Sequence, residues 1–336
     1  MNVYHNGNGD IWGRHIHKNK LTEFPIGQTF LWGAQEVTVP AVYVGNAGAV
    51  LDICTKIPLE DMIAFLKKWD QKRRLALHTQ EEYEQIEFDN PASREFTVNM
   101  HLNGRALACR MGSSLRWFPS DIIQMEASEK QWSNPMETEN LMTAYGCDRS
   151  CCWHFMRLVY DWNGDKVLTP QKISLLFAAH PLSVTTAHFT TNISCNETKI
   201  KTAHPETGQE YTLTLHGCEQ NKNSFDKIGA EGVIYPKYCQ ILSYSVTPEI
   251  EQGLFDIRDC AESDSPRRAD DPEKSSRSHG ATAIFMAGKN PVPNRRTACS
   301  SLHFEPVTEV QWRIVFQVNC KEDIEISFPI EKPNTR

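Results

Sequence analysis

Short runs of β-branched and aromatic residues, each cut off by a turn signal, recur along the chain and constrain its fold more than any other feature. The clearest case is Leu102-Asn103-Gly104-Arg105, where Asn-Gly stands between two apolar runs. Asn and Gly tolerate the positive φ angles of a type I′ turn, whose twist matches that of antiparallel strands. Trp162-Asn163-Gly164-Asp165 carries the same signal and predicts a second hairpin. Pro205-Glu206-Thr207-Gly208 predicts a third, with glycine closing a type I turn. The runs predict strands at 28–33, 36–44, 48–56, 95–102, 105–111 and 114–118. Further strands are expected at 152–161, 172–179, 186–194, 198–203, 209–217, 238–246, 282–287, 297–305 and 309–319. Because these strands do not alternate with long helices, a parallel α/β sheet is not expected. The expected class is all-β, with an antiparallel β-sandwich architecture.

One region breaks the pattern. Between Pro58 and Trp69, apolar residues fall at Leu59, Met62, Ile63, Leu66 and Trp69, the spacing of one buried helical face. Pro58 suits the first turn, acids follow it and lysines come late, as the helix dipole prefers. Thr79-Gln80-Glu81-Glu82 reads as a capping box for a second helix that stops before Asn90-Pro91. The two make a short helical insert near 58–90.

A length of 336 residues suits one large β domain or two ordinary ones. The polar stretch 128–140 suggests a division into a β-rich domain at 1–140 and a β-sandwich domain at 141–336. Residues 260–280 are nearly devoid of hydrophobes and are expected to form a mobile loop. A net charge of -7 and the lack of any Lys/Arg run longer than Lys72-Arg73-Arg74 argue against nucleic acid as a partner. The N-terminus lacks the basic-then-apolar pattern of a signal peptide, and no apolar run has membrane-spanning length, so a cytoplasmic protein without a membrane partner is expected. In that compartment the eleven cysteines are expected mainly as small core residues with inert thiols.

Local catalytic signatures are absent: there is no phosphate-binding Gly-rich loop, no G-x-S-x-G elbow and no H-E-x-x-H. Asp161, Asn163 and Asp165 resemble the first ligands of a calcium loop, but Lys166 replaces its glycine and Lys172 its closing acid, so a β-turn is expected there. His15 and His17 would share one face of a strand, as a metal pair or on an exposed edge.

Ala144–Phe155 places Cys147, Cys151, Cys152 and His154 within eight positions. Three readings are open: the start of a buried strand, a metal site, or a reversible Cys147–Cys151 disulfide. If 152–161 is a strand, Cys152 and His154 share a face while Cys151 and Trp153 point the other way, so one strand cannot present all the ligands. The nearly continuous apolar run from Cys151 to Trp162 favours the core strand.

Residues 203–218 resemble the iron-binding module of the desulfoferrodoxins, the superoxide reductases. His204-Pro205 and Thr207 match that family's H-P-x-T-x-x-H motif, with Glu210 at its second histidine; His216-Gly217 matches the end of its C-x-x-H-G element, with Cys218 following. The resemblance implies an immunoglobulin-like sandwich, with His204, His216 and Cys218 as iron ligands.

The functional expectation is a non-enzymatic binding or interaction protein whose partner is a protein or a small-molecule ligand. Trp12, Trp32, Trp117 and Trp132 are candidates for an exposed aromatic surface. The alternative is a metal-dependent, redox-type protein holding zinc or iron through Cys147, Cys151, His154, His204, His216 or Cys218.

Overall fold

The computed structural model describes residues 3–5, 20–74, 79–93, 96–126, 134–193, 197–223, 232–268 and 294–331. His15, His17, Trp12, Trp132, Cys195, the expected strand at 282–287 and residues 269–280 of the expected loop lie outside these. The protein is all-β, with antiparallel sheets and few helices. Among the described residues, no helix is long and apolar enough to cross a membrane.

The chain divides into two compact units. The first comprises Met1–Ala76, Ile86–His180 and Asn319–Arg336; the second comprises Leu77–Gln85 and Pro181–Val318. Position 140, the expected boundary, falls inside a helix of the first unit.

The first unit begins with β1 (Thr22–Trp32), β2 (Gln35–Gly45), β3 (Gly48–Ile57) and α1 (Leu59–Arg74), while α2 (Gln80–Asp89) starts in the second unit and ends, from Ile86, in the first. It continues with β4 (Phe96–Leu102), β5 (Arg105–Ala106), β6 (Ala108–Trp117), α3 (Ser120–Glu126), α4 (Met136–Tyr145), β7 (Cys152–Asp161) and β8 (Lys172–Ala179). The second unit holds β9 (Leu182–Asn192), β10 (Thr198–Ala203), β11 (Glu210–Lys222), β12 (Val233–Ile234), β13 (Tyr238–Thr247), β14 (Phe255–Asp259), β15 (Arg267–Arg268), β16 (Arg296–Cys299) and β17 (Glu309–Val318). The chain then returns to the first unit as β18 (Ile324–Pro329).

In the first unit a five-stranded sheet, β1-β2-β3-β7-β6, and a four-stranded sheet, β18-β8-β4-β5, share one core. Leu51, Ile53, Leu158 and Tyr160 from the larger sheet meet Val98, Met100, Leu175 and Phe177 from the smaller. The Tyr160 hydroxyl donates to the Val98 carbonyl at 2.7 Å, which satisfies a polar group at the centre of that core. The opposite face of the larger sheet is also covered. There Leu141 and Met142 of α4 pack on Cys54, Trp153 and Phe155. A strand buried on both faces reads as a continuous apolar run, which is why β7 resembles a core strand in sequence and is one.

In the second unit β10-β11-β13-β16 and β14-β17-β9 share a core in the same way. Leu213, Leu242 and Tyr244 meet Ile257, Trp312 and Phe316.

Two of the three expected hairpins form. Asn103 at φ 49° and Gly104 at φ 80° turn β4 into β5, and the 204–209 loop joins β10 to β11 with Gly208 at φ 69°. The third does not. Both edges of β7 are already paired, with β3 and β6, so the chain after Asp161 crosses to the other sheet and Asn163-Gly164 closes no hairpin. The two carboxylates of the calcium-like stretch face cations instead, Asp161 near Arg110 at 3.7 Å and Asp165 near Arg105 at 2.8 Å.

The helical insert forms as expected. Met62, Leu66 and Trp69 of α1 are buried, and the capping box of α2 is reciprocal, Glu82 N–H to Thr79 Oγ1 at 3.2 Å and Thr79 N–H to Glu82 Oε2 at 3.3 Å. The polar stretch 128–140, expected to divide the chain, carries the start of α4 at Met136, because Leu141, Met142 and Tyr145 give the helix an apolar face to lay on the sheet; residues 128–133 lie outside the described residues.

Candidate functional site

Trp32 and Trp117, expected on a binding surface, are 3% and 4% exposed. Trp32 sits edge-on to Phe96 and Phe177 inside the core, and Trp117 lies beneath α4 with its indole N–H donated to Glu139 at 2.7 Å. Large rings on inward strand positions bury more apolar area than any other side chain, so the core claims them.

The candidate ligands of the Cys147–His154 stretch separate in space. Cys147 is hydrogen-bonded to the Cys54 thiol of β3. Cys151 stays in the preceding turn, its sulfur 3.9 Å from Asp148 Oδ2. Cys152 is buried among the side chains of α1 and α3. His154 lies two residues along the same strand face and meets none of the other sulfurs in a three-ligand group.

The 203–218 stretch also disperses. His204 Nδ1 accepts the backbone N–H groups of Glu206 and Thr207, both at 3.3 Å, and its ring packs edge-on to Phe316. A bulge between Leu215 and Gly217 makes His216 the extra residue of β11. His216 consequently turns toward Ser245, at 2.9 Å, while Cys218 falls opposite buried Leu242 and donates to Gln240 Oε1 at 2.9 Å. One extra residue exchanges the faces of a strand, so His216 and Cys218 point to opposite sides of the sheet. Among the described residues, one group of three His, Cys or carboxylate side chains has ligand atoms within 4.8 Å of one another: Glu81, His188 and Cys260.

His154 has a different setting. On β6, an edge strand, Gly112, Ser114 and Arg116 pair with Leu158, Met156 and His154 of β7. Cross-strand partners share a face, so small and polar groups occupy the side that elsewhere builds the core. The two sheets therefore do not close completely at this edge, leaving a cavity of about 230 Å³. Phe96, Met156, Leu158 and Ala92 form its apolar wall, and Ser93, Ser113, Ser114, Arg116, His154 and His180 supply polar groups. No described residue lining it is acidic.

His154 is the most deeply set polar group of the lining. Its ring nitrogen Nε2 is buried and has no hydrogen-bond partner. Burial, reinforced by the positive charge of Arg116, pushes its pKa down to about 4, so the ring is neutral near pH 7. An unsatisfied buried nitrogen carries a desolvation penalty of about 1–3 kcal/mol. Such a cost is typical of sites kept for a ligand or an ordered water.

The sequence drew attention to His154 for its nearby cysteines, which do not join it. The signal that could have found the cavity is the alternation Gly112-x-Ser114-x-Arg116, a polar inner face on an edge strand facing an apolar one. Glu81, His188 and Cys260 come from three distant segments and carry no local signal. Comparison with family models, curated proteins and solved structures finds no match to this chain.

Proposed function

We propose that this chain is a cytoplasmic, non-enzymatic binding protein, built on two antiparallel β-sandwiches, that takes a small amphipathic anion into the cavity beside His154. The observation that carries this reading is the buried, unpartnered Nε2 of a neutral His154 in a cavity whose lining joins an apolar wall to the Arg116 side chain. The apolar wall would take the body of the ligand, Arg116 its negative group, and His154 one directed hydrogen bond. A volume of about 230 Å³ is many times the roughly 15 Å³ that one water needs, so the space suits a molecule of several heavy atoms. The cytoplasmic assignment is supported by the described cysteines, several of them buried as small core residues and none of them disulfide-bonded.

Hexanoate, titrated against the full chain while histidine ring ¹⁵N shifts are followed, tests the reading. The expected result is a saturable shift of the His154 signal with Kd at or below ~1 mM, weakened about tenfold by Arg116→Ala. Gly112→Ala is expected to weaken it too, because a Cβ there would lie 2.9 Å from Leu158 Cδ2 and push that side chain into the cavity. A His154 signal that does not move, or undiminished affinity in His154→Leu, would overturn it.

A further inference from the structure

We propose that Glu81, His188 and Cys260 form a divalent-metal site in the second unit, of a kind that suits zinc. The site is independent of the cavity beside His154.

The argument begins with three elements that fix the ligands. β17 is the centre of its sheet, with β9 on one side and β14 on the other. His188 of β9 pairs with Arg313 of β17, and the backbone N–H of Cys260, just past β14, donates to Gln311 two residues along β17 at 2.9 Å. His188 and Cys260 therefore flank the same stretch of the central strand.

Glu81 comes from the first turn of α2. That turn is held by Glu84, three residues on and hence on the same helical face. Glu84 accepts from Arg313 at 2.6 and 3.2 Å and from Arg258 at 2.8 Å. With Arg313 only 1% exposed, this anchor is largely withdrawn from water, and it aims Glu81 at the strands below. The Asp259 carboxylate, accepting from the N–H groups of Ala261 and Ser301 at 2.8 Å each, holds the turn that carries Cys260.

The result is one imidazole nitrogen, one carboxylate oxygen and one sulfur, all within 4.8 Å of one another, with His188 Nε2 and Glu81 Oε2 2.9 Å apart. Ligands of a tetrahedral zinc with bonds of 2.0–2.3 Å lie roughly 3.3–3.8 Å apart. Small rotations of Glu81 and His188, which are 36% and 42% exposed, bring the set to that spacing. The donor mixture is borderline-soft, which fits zinc better than calcium or magnesium.

The local field agrees. Arg313 and Arg258 are matched by Glu84 and Asp256, and the carboxylates of Glu81 and Asp259 remain beside the thiol. A bound dication would take the Cys260 thiolate as ligand, and the thiol proton would be released to solvent. With three protein ligands and a solvent-facing histidine, the fourth position is open to water.

Cobalt(II) is the probe, titrated into the full chain after chelation and dialysis, with zinc as competitor. The expected result is one equivalent bound with Kd below ~1 µM, a thiolate-to-cobalt charge-transfer band, and displacement of the cobalt by zinc. Cys260→Ser is expected to abolish the band, and His188→Ala and Glu81→Gln each to weaken binding at least tenfold while far-ultraviolet circular dichroism is unchanged. No saturable binding, or a band that persists at full strength in Cys260→Ser, would overturn the proposal. The His188→Ala and Glu81→Gln titrations decide it even if Cys260→Ser does not fold, because both of those side chains are partly exposed.

Discussion

The thiols of Cys54 and Cys147 meet, and this contact joins β3 to the loop after α4. Burial raises the Cys54 pKa, while the hydrogen bond with Cys54 lowers that of Cys147. The local spacing of Cys147 and Cys151 suggested a different pair. Oxidation with diamide, followed by peptide mapping, is expected to join Cys54 to Cys147 and to leave Cys151 reduced. A linked Cys147–Cys151 peptide would contradict the observed contact.

Beside that contact, Asp52 and Arg157 form a buried bidentate pair, Nε to Oδ1 at 2.8 Å and Nη2 to Oδ2 at 2.6 Å. Tyr145 of α4 donates to Asp52, and Tyr43 donates in turn to Tyr145 at 3.1 Å. Breaking a buried pair strands one charge, so Asp52→Ala or Arg157→Met alone is expected to cost about 3–5 kcal/mol. The double variant Asp52→Leu/Arg157→Met is expected to cost less than either single one. Urea unfolding of the three variants measures the difference, and a double variant worse than both singles would show that the pair is worth more than its desolvation.

His154→Leu removes the orphan nitrogen and is expected to stabilise the chain by about 1–3 kcal/mol. It also changes the response to acid. The folded pKa, about 4, lies below the ordinary histidine value near 6.5. The unfolded chain therefore takes up a proton first, and stability falls as pH drops through the window from about 6.5 to about 4, by on the order of 3 kcal/mol. Unfolding curves across that window are expected to be flatter for His154→Leu than for the wild type.

Glu84 makes a parallel test in the second unit. Burial pushes its pKa up, but the hydrogen bonds from Arg313 and Gln80, with the charges of Arg313 and Arg258, outweigh that and leave it lowered. A depressed carboxylate contributes stability above its unfolded pKa, near 4.3, and loses that contribution as pH falls through the folded value. Glu84→Gln is expected to destabilise by about 3 kcal/mol at pH 7, since it leaves Arg313 buried without its carboxylate. The loss is expected to shrink as pH falls below the unfolded value near 4.3 and on through the lower folded value, where the wild type gives up the same charge. Equal losses at pH 7 and pH 3 would assign the effect to packing.

Much of the architecture was legible because its causes are local. Asn103-Gly104 turns the chain by its own backbone preferences, Thr79 and Glu82 cap α2 with atoms three residues apart, and the two-sided apolar run of β7 reports a strand covered on both faces. Asn163-Gly164 misled for the complementary reason. A turn signal says how a backbone can bend, but a hairpin also needs a free strand edge, and β3 and β6 already occupy both edges of β7.

The sites were less legible. His154 carries a ring that is ordinary in sequence, and it becomes unusual only because Gly112, Ser114 and Arg116 leave the inter-sheet space open beside it. Glu81, His188 and Cys260 stand 107 and 72 residues apart in the chain, and meet only once α2, β9 and the end of β14 are packed.

By itself, then, the sequence determined the antiparallel all-β class, the helical insert and the core strand at 152–161, since periodicity, caps and turn residues act over a few positions. The tertiary structure alone decided that Cys147 pairs with Cys54, that the bulge at His216 turns it away from Cys218, and which charged and soft side chains converge. Those outcomes depend on sheet order and register, and a shift of one residue in either reverses the face that every side chain occupies.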